Sequence, residues 1–110
     1  MRINAIRMSL ALVICVAGSA AADPVALVRQ VELEHLVRHD CGSCHGMTLN
    51  GGLGPALTPQ ALSRKPVVYV TNVILDGRPG TAMPGWRPLL SEAEAAWIAK
   101  RLLEGLPDAR

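Results

Sequence analysis

The chain is 110 residues long, and its 11 Lys and Arg against 9 Asp and Glu give a formal net charge of +2. This near balance lacks the clustered basic excess of nucleic-acid-binding proteins, so we expect no nucleic-acid partner. A chain of this size buries a limited fraction of its surface, and it has no Phe, one Tyr and two Trp for a core. We therefore expect one small domain that needs a further stabilising group.

The N-terminal 22 residues have the order of a secretory signal peptide. Two arginines and no acid come first, a mostly apolar run covers residues 8–17, and small residues occupy positions 18–22. The apolar run is shorter than the about 20 residues that cross a bilayer, so we expect no stable membrane anchor. We expect cleavage after Ala22, with Ala20 or Ala21 as alternatives. The domain proper is then residues 23–110, in which basic and acidic side chains balance.

A helix is predicted at the start of this domain. Asp23 and Pro24 are typical of an N-cap and a first turn, and the helix is expected to run to Asp40. His35 and His39 on this helix are interpreted as solvated side chains. The apolar face predicted from helical spacing comprises Leu27, Val28, Val31, Leu33, Leu36 and Val37.

The most specific pattern in the chain follows directly and reads Cys41-Gly42-Ser43-Cys44-His45. Two cysteines separated by two residues, with a histidine after the second, form the attachment signature of c-type haem. Each thiol adds to one haem vinyl group, and the histidine is then placed to ligate iron. Three alternatives are a thioredoxin-like redox pair, a zinc site and a structural disulfide; the first needs a βαβ context and the second needs more ligands. The pattern favours one covalently bound haem c.

The loop after the motif is dense in glycine and contains Gly54-Pro55. A proximal histidine normally donates its second ring N–H to an acceptor, often a backbone carbonyl. Pro55 has a carbonyl and no N–H, which makes it the candidate acceptor for His45. Met47 is two residues from His45 and cannot reach the opposite face of a haem, so we interpret it as packing or exposed.

Two further helices are predicted in the C-terminal half. Residues 66–76 are rich in β-branched side chains, which favours a strand, but the spacing of the apolar residues and Gly77 at the end favour a helix. We predict a helix because no partner strand is visible. Ser91 and Glu94 form a capping box that starts the last helix, which ends at Gly105 and Pro107.

A loop rich in proline and glycine joins these two helices and contains Met83. Met83 is far enough from His45 along the chain to reach the opposite face of a haem. A thioether is a soft, neutral ligand for haem iron, and His/Met ligation raises the reduction potential. We therefore interpret Met83 as the distal axial ligand, with a core methionine beside a turn as the alternative.

The order of these motifs resembles that of class I c-type cytochromes over essentially the whole mature chain. The resemblance implies an all-α fold in which the N- and C-terminal helices cross around one covalent haem. It also implies the site residues: Cys41 and Cys44 as thioether positions, His45 as proximal ligand, Pro55 as its carbonyl partner and Met83 as distal ligand.

Residues 41–48, 51–58 and 77–84 narrow the resemblance to the cytochrome c-55X group. Those proteins are encoded among the genes for cytochrome cd1 nitrite reductase in denitrifying bacteria. The resemblance implies a periplasmic monohaem protein whose redox partner is that nitrite reductase. It leaves open whether the protein donates electrons to the enzyme or acts as a redox or assembly factor in haem d1 maturation.

The preferred function is a one-electron carrier and not an enzyme, because two axial ligands leave iron no open position for substrate. A haem enzyme or gas sensor with a labile distal Met83 is a third alternative, but no acid/base pair or distal histidine supports it. The candidates for steering an acidic partner are Arg64, Lys65, Arg78 and Arg87.

Overall fold

The computed structural model describes Gly18 and residues 24–107. The predicted cleavage after Ala22 and the predicted N-cap Asp23 lie outside the described residues. Within them, every regular element is helical, which confirms the all-α prediction. The elements are α1 (Leu27–Leu36), a π-helical turn (Val37–Cys41), α2 (Gly42–His45), α3 (Pro59–Leu62), α4 (Val67–Asp76) and α5 (Glu92–Glu104). None of these helices is long and apolar enough to cross a membrane.

The first helix begins later than predicted, and its predicted course to Asp40 is confirmed. The helix begins at Leu27, because Ala26 is extended, with φ −59° and ψ 146°, and the Val25 carbonyl accepts from the Gln30 side chain at 2.8 Å. At the other end, the backbone is still helical at Asp40, as predicted. Helical structure continues through the π turn and α2 to His45, where Gly46 adopts φ 89° and ends it.

The predicted apolar face of α1 is half right. Leu33 and Val37 are 0% and 1% exposed, whereas Leu27, Val28 and Val31 are 80%, 72% and 70% exposed. The buried face repeats every three to four residues, and the positions that precede Leu33 at this spacing are Arg29 and Gln30. The three exposed residues are therefore out of phase with the buried face.

The N-terminal and C-terminal helices are joined by ion pairs across their contact. Arg29 Nε lies 2.6 Å from Glu94 Oε1, and Arg101 Nη2 lies 3.3 Å from Glu34 Oε1. The capping box predicted at the start of α5 is confirmed: Glu94 N–H donates to Ser91 Oγ at 3.1 Å, and Ser91 N–H donates to Glu94 Oε2 at 2.8 Å. Glu94 thus both caps α5 and binds α1.

The predicted helix over residues 66–76 is confirmed as α4. Pro66 is its N-cap, and Gly77, at φ 68°, donates its N–H to the Val73 carbonyl at the C-terminal end. α4 packs on α5, and its β-branched residues Val70 and Ile74 are in the buried core. The hydrophobic core draws on the helices and their connecting loops: Leu33, Val37, Leu49, Leu62, Val70, Ile74, Leu75, Leu90, Ala95, Ile98, Ala99 and Leu102.

Glu94 makes the stability of this fold depend on pH. The pKa of Glu94 is lowered in the folded protein, first because Arg29 donates to the carboxylate and then because Ser91 N–H does. The unfolded chain, in which a glutamate has a pKa of about 4.3, takes up the proton first. The stabilisation that the ionised Glu94 carboxylate contributes is therefore full above that pH. It is lost as the pH falls through the lowered pKa of Glu94 in the folded protein.

We expect Glu94→Gln to weaken this dependence of the free energy of unfolding on pH, between about pH 5 and pH 2. Guanidinium titrations of the purified protein at a series of pH values measure it. Glu104→Gln is the matched control, because Glu104 is half exposed and its cationic neighbours are 3.8 Å and 3.9 Å away. A Glu94→Gln variant with the wild-type pH dependence would contradict the assignment.

Candidate functional site

The attachment motif is helical from end to end. Cys41, with φ −64° and ψ −41°, and Gly42, with φ −61° and ψ −26°, both have right-handed helical backbones. Gly42 N–H donates to the Val37 carbonyl, the i→i−5 hydrogen bond of a π turn. Cys41, Cys44 and His45 are thus spaced i, i+3 and i+4 and lie on one side of the helix.

The two cysteines are free thiols, Cys41 half-buried and Cys44 exposed. Burial, with the nearby charge of Asp40, raises the pKa of the Cys41 thiol to about 11. Redox-active cysteine pairs have lowered thiol pKa values, so this thiol does not fit a thioredoxin-like pair. The described residues contain no cluster of three or more His, Cys, Asp or Glu side chains suited to a metal ion, which argues against the zinc alternative.

The loop after the motif folds back onto the end of the helix. Gly51 N–H donates to the His45 carbonyl at 2.8 Å, and Gly54 N–H donates to the Cys44 carbonyl at 2.7 Å. This return brings the Pro55 carbonyl oxygen to 2.6 Å from His45 Nδ1. The neutral imidazole donates from Nδ1 in this contact, which leaves the Nε2 lone pair for another bond.

Gly54 is required here for space and not for an unusual backbone angle. Its φ is not among the positive glycine φ values, but a Cβ at this position would lie 2.9 Å from both Cε1 and Nδ1 of His45. The loop backbone therefore lies flat against the imidazole ring. Together, the hydrogen bond to Pro55 and the contact with Gly54 fix the orientation of that ring.

Met83 lies in the loop between α4 and α5, which is anchored to the C-terminal end of α4. Arg78 N–H donates to the Met83 carbonyl at 3.2 Å, and Met83 N–H donates to Thr81 Oγ1 at 3.3 Å. A Cβ on Gly77 would lie 2.6 Å from the Met83 carbonyl oxygen, so only glycine permits this close approach at φ 68°. The Met83 side chain is half-buried.

Met47 lies against the helix that carries the motif. Its side chain is 55% exposed, and a Cβ built on Gly42 would lie 3.5 Å from its Sδ.

The structure gathers Cys41, Cys44, His45 and Pro55 into one region and holds Met83 in a separate loop. Sequence reasoning assigned no role to Gly54, to Thr81 or to the hydrogen bond from the Arg78 guanidinium to Tyr69 Oη.

Comparisons with known proteins agree with this geometry. The family model described as cytochrome C oxidase, cbb3-type, subunit III, matches residues 29–100. Cytochrome c55X of Paracoccus denitrificans (strain Pd 1222) is 57% identical over 98 residues, which cover 89% of this chain and 94% of that protein. The chain belongs to the cytochrome c55X family. Its fold is the small cytochrome c fold, and its cofactor is covalently bound haem c.

Two further proteins are similar to this member of the family. The solved structure of the c-type cytochrome NirC superposes with a TM-score of 0.71 at 53% identity, covering 72% of this chain and 93% of that one. Dihydro-heme d1 dehydrogenase of Pseudomonas aeruginosa (strain PAO1) is 40% identical over 74 residues, which cover 67% of this chain and 15% of that enzyme. This chain therefore matches only a small part of the dehydrogenase.

The side chains around the motif fit a covalently bound haem. Two free thiols stand one helical turn apart, and an imidazole on the same side is oriented through Nδ1. Gly54 adds no side chain beside the ring, where a Cβ would lie 2.9 Å from Cε1 and Nδ1 of His45. This is the donor set that two thioether bonds and one axial nitrogen require.

Gly54→Ala should destabilise the haem-loaded protein. The added methyl group has no room beside the His45 ring, and overpacking of this kind typically costs about 1–3 kcal/mol. Guanidinium unfolding followed by haem absorbance measures the free energy of unfolding. The adjacent Leu53→Ala is the control, because Leu53 is 94% exposed. Equal stability of the two variants would refute the contact.

Proposed function

We propose that this chain is a periplasmic one-electron carrier that serves the cytochrome cd1 nitrite reductase system. Cys41 and Cys44 would hold the haem through two thioether bonds, and His45 and Met83 would ligate its iron. The observation that carries the proposal is the contact of His45 Nδ1 with the Pro55 carbonyl, beside two free thiols. When bound, haem supplies reversible one-electron exchange between Fe(III) and Fe(II).

Contacts within the protein fix the tautomer and the orientation of the proximal imidazole. The Pro55 carbonyl holds the proton on Nδ1, so Nε2 keeps its lone pair and the imidazole becomes more basic. Gly54 prevents the ring from rotating away, because its backbone lies against the ring face. Because both contacts hold the imidazole in one orientation, the ring does not have to reorient during electron exchange.

The distal side supports a carrier and not a catalyst. The Met83 loop is fixed by hydrogen bonds at both ends of the turn and by Trp86 N–H donating to the Ile74 carbonyl at 3.0 Å. A thioether held in this way would leave no open position at the iron for a substrate. As a ligand, Met83 would also favour Fe(II) and so raise the reduction potential.

A docking surface beside the Met83 loop is proposed from its charges. Lys65 Nζ lies 5.1 Å from the centre of the Tyr69 ring, and Tyr69 Oη accepts a hydrogen bond from Arg78 in the loop. These exposed cations suit an acidic partner. Arg87 suits it less well, because it is paired with Asp76 at 2.6 Å and with Glu92 at 3.5 Å.

The link to nitrite reductase is supported by the relatives and not by the geometry. The chain belongs to the cytochrome c55X family, and its similarity to part of dihydro-heme d1 dehydrogenase connects it with haem d1. The same similarity supports the second candidate, a redox or assembly role in haem d1 maturation. Export follows from residues 1–22, and the intact mass of the exported protein should equal residues 23–110 plus one haem.

Met83→Ala should change three properties of the haem. Wild-type protein is expected to show the far-red sulfur-to-iron band and to bind carbon monoxide slowly. The variant should lose the band, bind carbon monoxide rapidly and have a reduction potential lower by about 0.1 V or more, within the ~0.8 V that axial ligands span. Absorption spectra and redox titration measure these changes.

Met47→Ala is the control for this experiment. Its sulfur lies beside Gly42 on the helix of the motif, so all three properties should stay as in wild type. If Met47→Ala abolishes the band and Met83→Ala does not, the ligand assignment is wrong. Rapid binding of carbon monoxide by wild-type protein would favour the gas sensor or enzyme over the carrier.

Reduced protein mixed with oxidised cytochrome cd1 nitrite reductase should be reoxidised in a second-order reaction that slows at high salt. Lys65→Glu should slow it about tenfold, within the range that electrostatic steering spans. Lys100→Glu on α5 should leave the rate unchanged. Stopped-flow absorbance measures the reaction. Absence of reoxidation would contradict the donor role and favour the maturation role. In the maturation role, cells without this protein are expected to make nitrite reductase that is deficient in haem d1.

A further inference from the structure

Two exposed histidines on the first helix lie outside the haem site. His35 is in the last turn of α1, and His39 is in the π turn that follows. Their ring centroids are 4.1 Å apart, with the planes tilted by 38°. Among the described residues, neither ring has another recorded hydrogen-bond or ring partner, so all four ring nitrogens remain available.

This spacing suits a chelate. Two histidines at i and i+4 on one helix face are a recurring arrangement for binding a transition metal. Each ligating nitrogen lies about 2.0–2.1 Å from the ion, so the two rings must stand side by side on the same face. The tilted rings of His35 and His39 already do so, and the helical backbone fixes their separation.

We propose that His35 and His39 bind a divalent late transition-metal ion of the class Cu²⁺, Ni²⁺ or Zn²⁺. Imidazole prefers these ions to Mg²⁺ and Ca²⁺, and Cu²⁺ stands highest in the order of affinity. The described residues add no third side-chain ligand, so water completes the coordination sphere. The site is therefore open and exchangeable, unlike the closed four-ligand sites that stabilise folds.

The neighbouring residues are compatible with a cation at this site. Asp40 follows His39 and is exposed, so it adds negative charge nearby. The Arg38 guanidinium donates to the Pro107 carbonyl at 2.7 Å. The third histidine, His45, contacts Pro55 through Nδ1 and does not belong to the pair.

The test uses untagged, oxidised, haem-loaded protein. Zn²⁺ binding is measured by calorimetry, and Cu²⁺ binding by electron paramagnetic resonance. We expect one ion per chain, tighter binding of Cu²⁺ than of Zn²⁺, no saturable binding of Mg²⁺, and hyperfine coupling from two nitrogens. His39→Gln should weaken Zn²⁺ binding by at least about tenfold, which corresponds to ~1.4 kcal/mol.

The matched control is the double variant His39→Gln with Gln60→His. It restores the number of histidines, but the new imidazole is on α3, where Gln60 is exposed. Binding should remain as weak as in His39→Gln alone. Full recovery in the double variant, equal affinity in wild type and His39→Gln, or no saturable binding of either ion would each overturn the proposal. Because it concerns α1 and the π turn, it can fail while the carrier function stands.

Discussion

The hydrogen bond between His45 and the Pro55 carbonyl is the constraint on which the site depends. For the carbonyl to reach the ring, the chain must reverse direction within ten residues of the helix end. Positive φ angles at Gly46 and Gly51 make the reversal possible, and Gly54 lets the backbone approach the ring. The same reversal satisfies the Cys44 and His45 carbonyls, which the end of a helix would leave without partners.

The rest of the fold holds two loops in place, the loop after His45 and the Met83 loop between α4 and α5. α1 and the π turn carry the first loop and are tied to α5 by Arg29 and Glu94. α4 packs on α5 and carries the second loop from Gly77 onward. α5 thus determines the relative position of the two loops, although it contributes no ligand. Glu94 has a large share in this, because one carboxylate starts the helix and joins it to α1.

Local signals predicted much of this fold, and tertiary contacts explain what they missed. The Ser91 and Glu94 capping box and the glycines at 77 and 105 mark helix ends through short-range hydrogen bonds and φ angles, so sequence alone was sufficient. The predicted start of the first helix before Leu27 was wrong because Val25 packs on the core and its carbonyl accepts from Gln30, a tertiary effect. The proposed acceptor Pro55 could be named from its chemistry, but the close approach of Gly54 required coordinates.

The π turn explains why the orientation of the Cys41–His45 motif could not be predicted from helical spacing. The buried residues Leu33 and Val37 are four apart, and in an uninterrupted α-helix the next buried position would be Cys41. The buried position is instead Gly42, whose N–H binds the Val37 carbonyl five residues back. This one-residue shift leaves Cys41 half-buried and Cys44 exposed. A backbone irregularity with no signature in the side-chain pattern thereby keeps Cys41 out of the fully buried position.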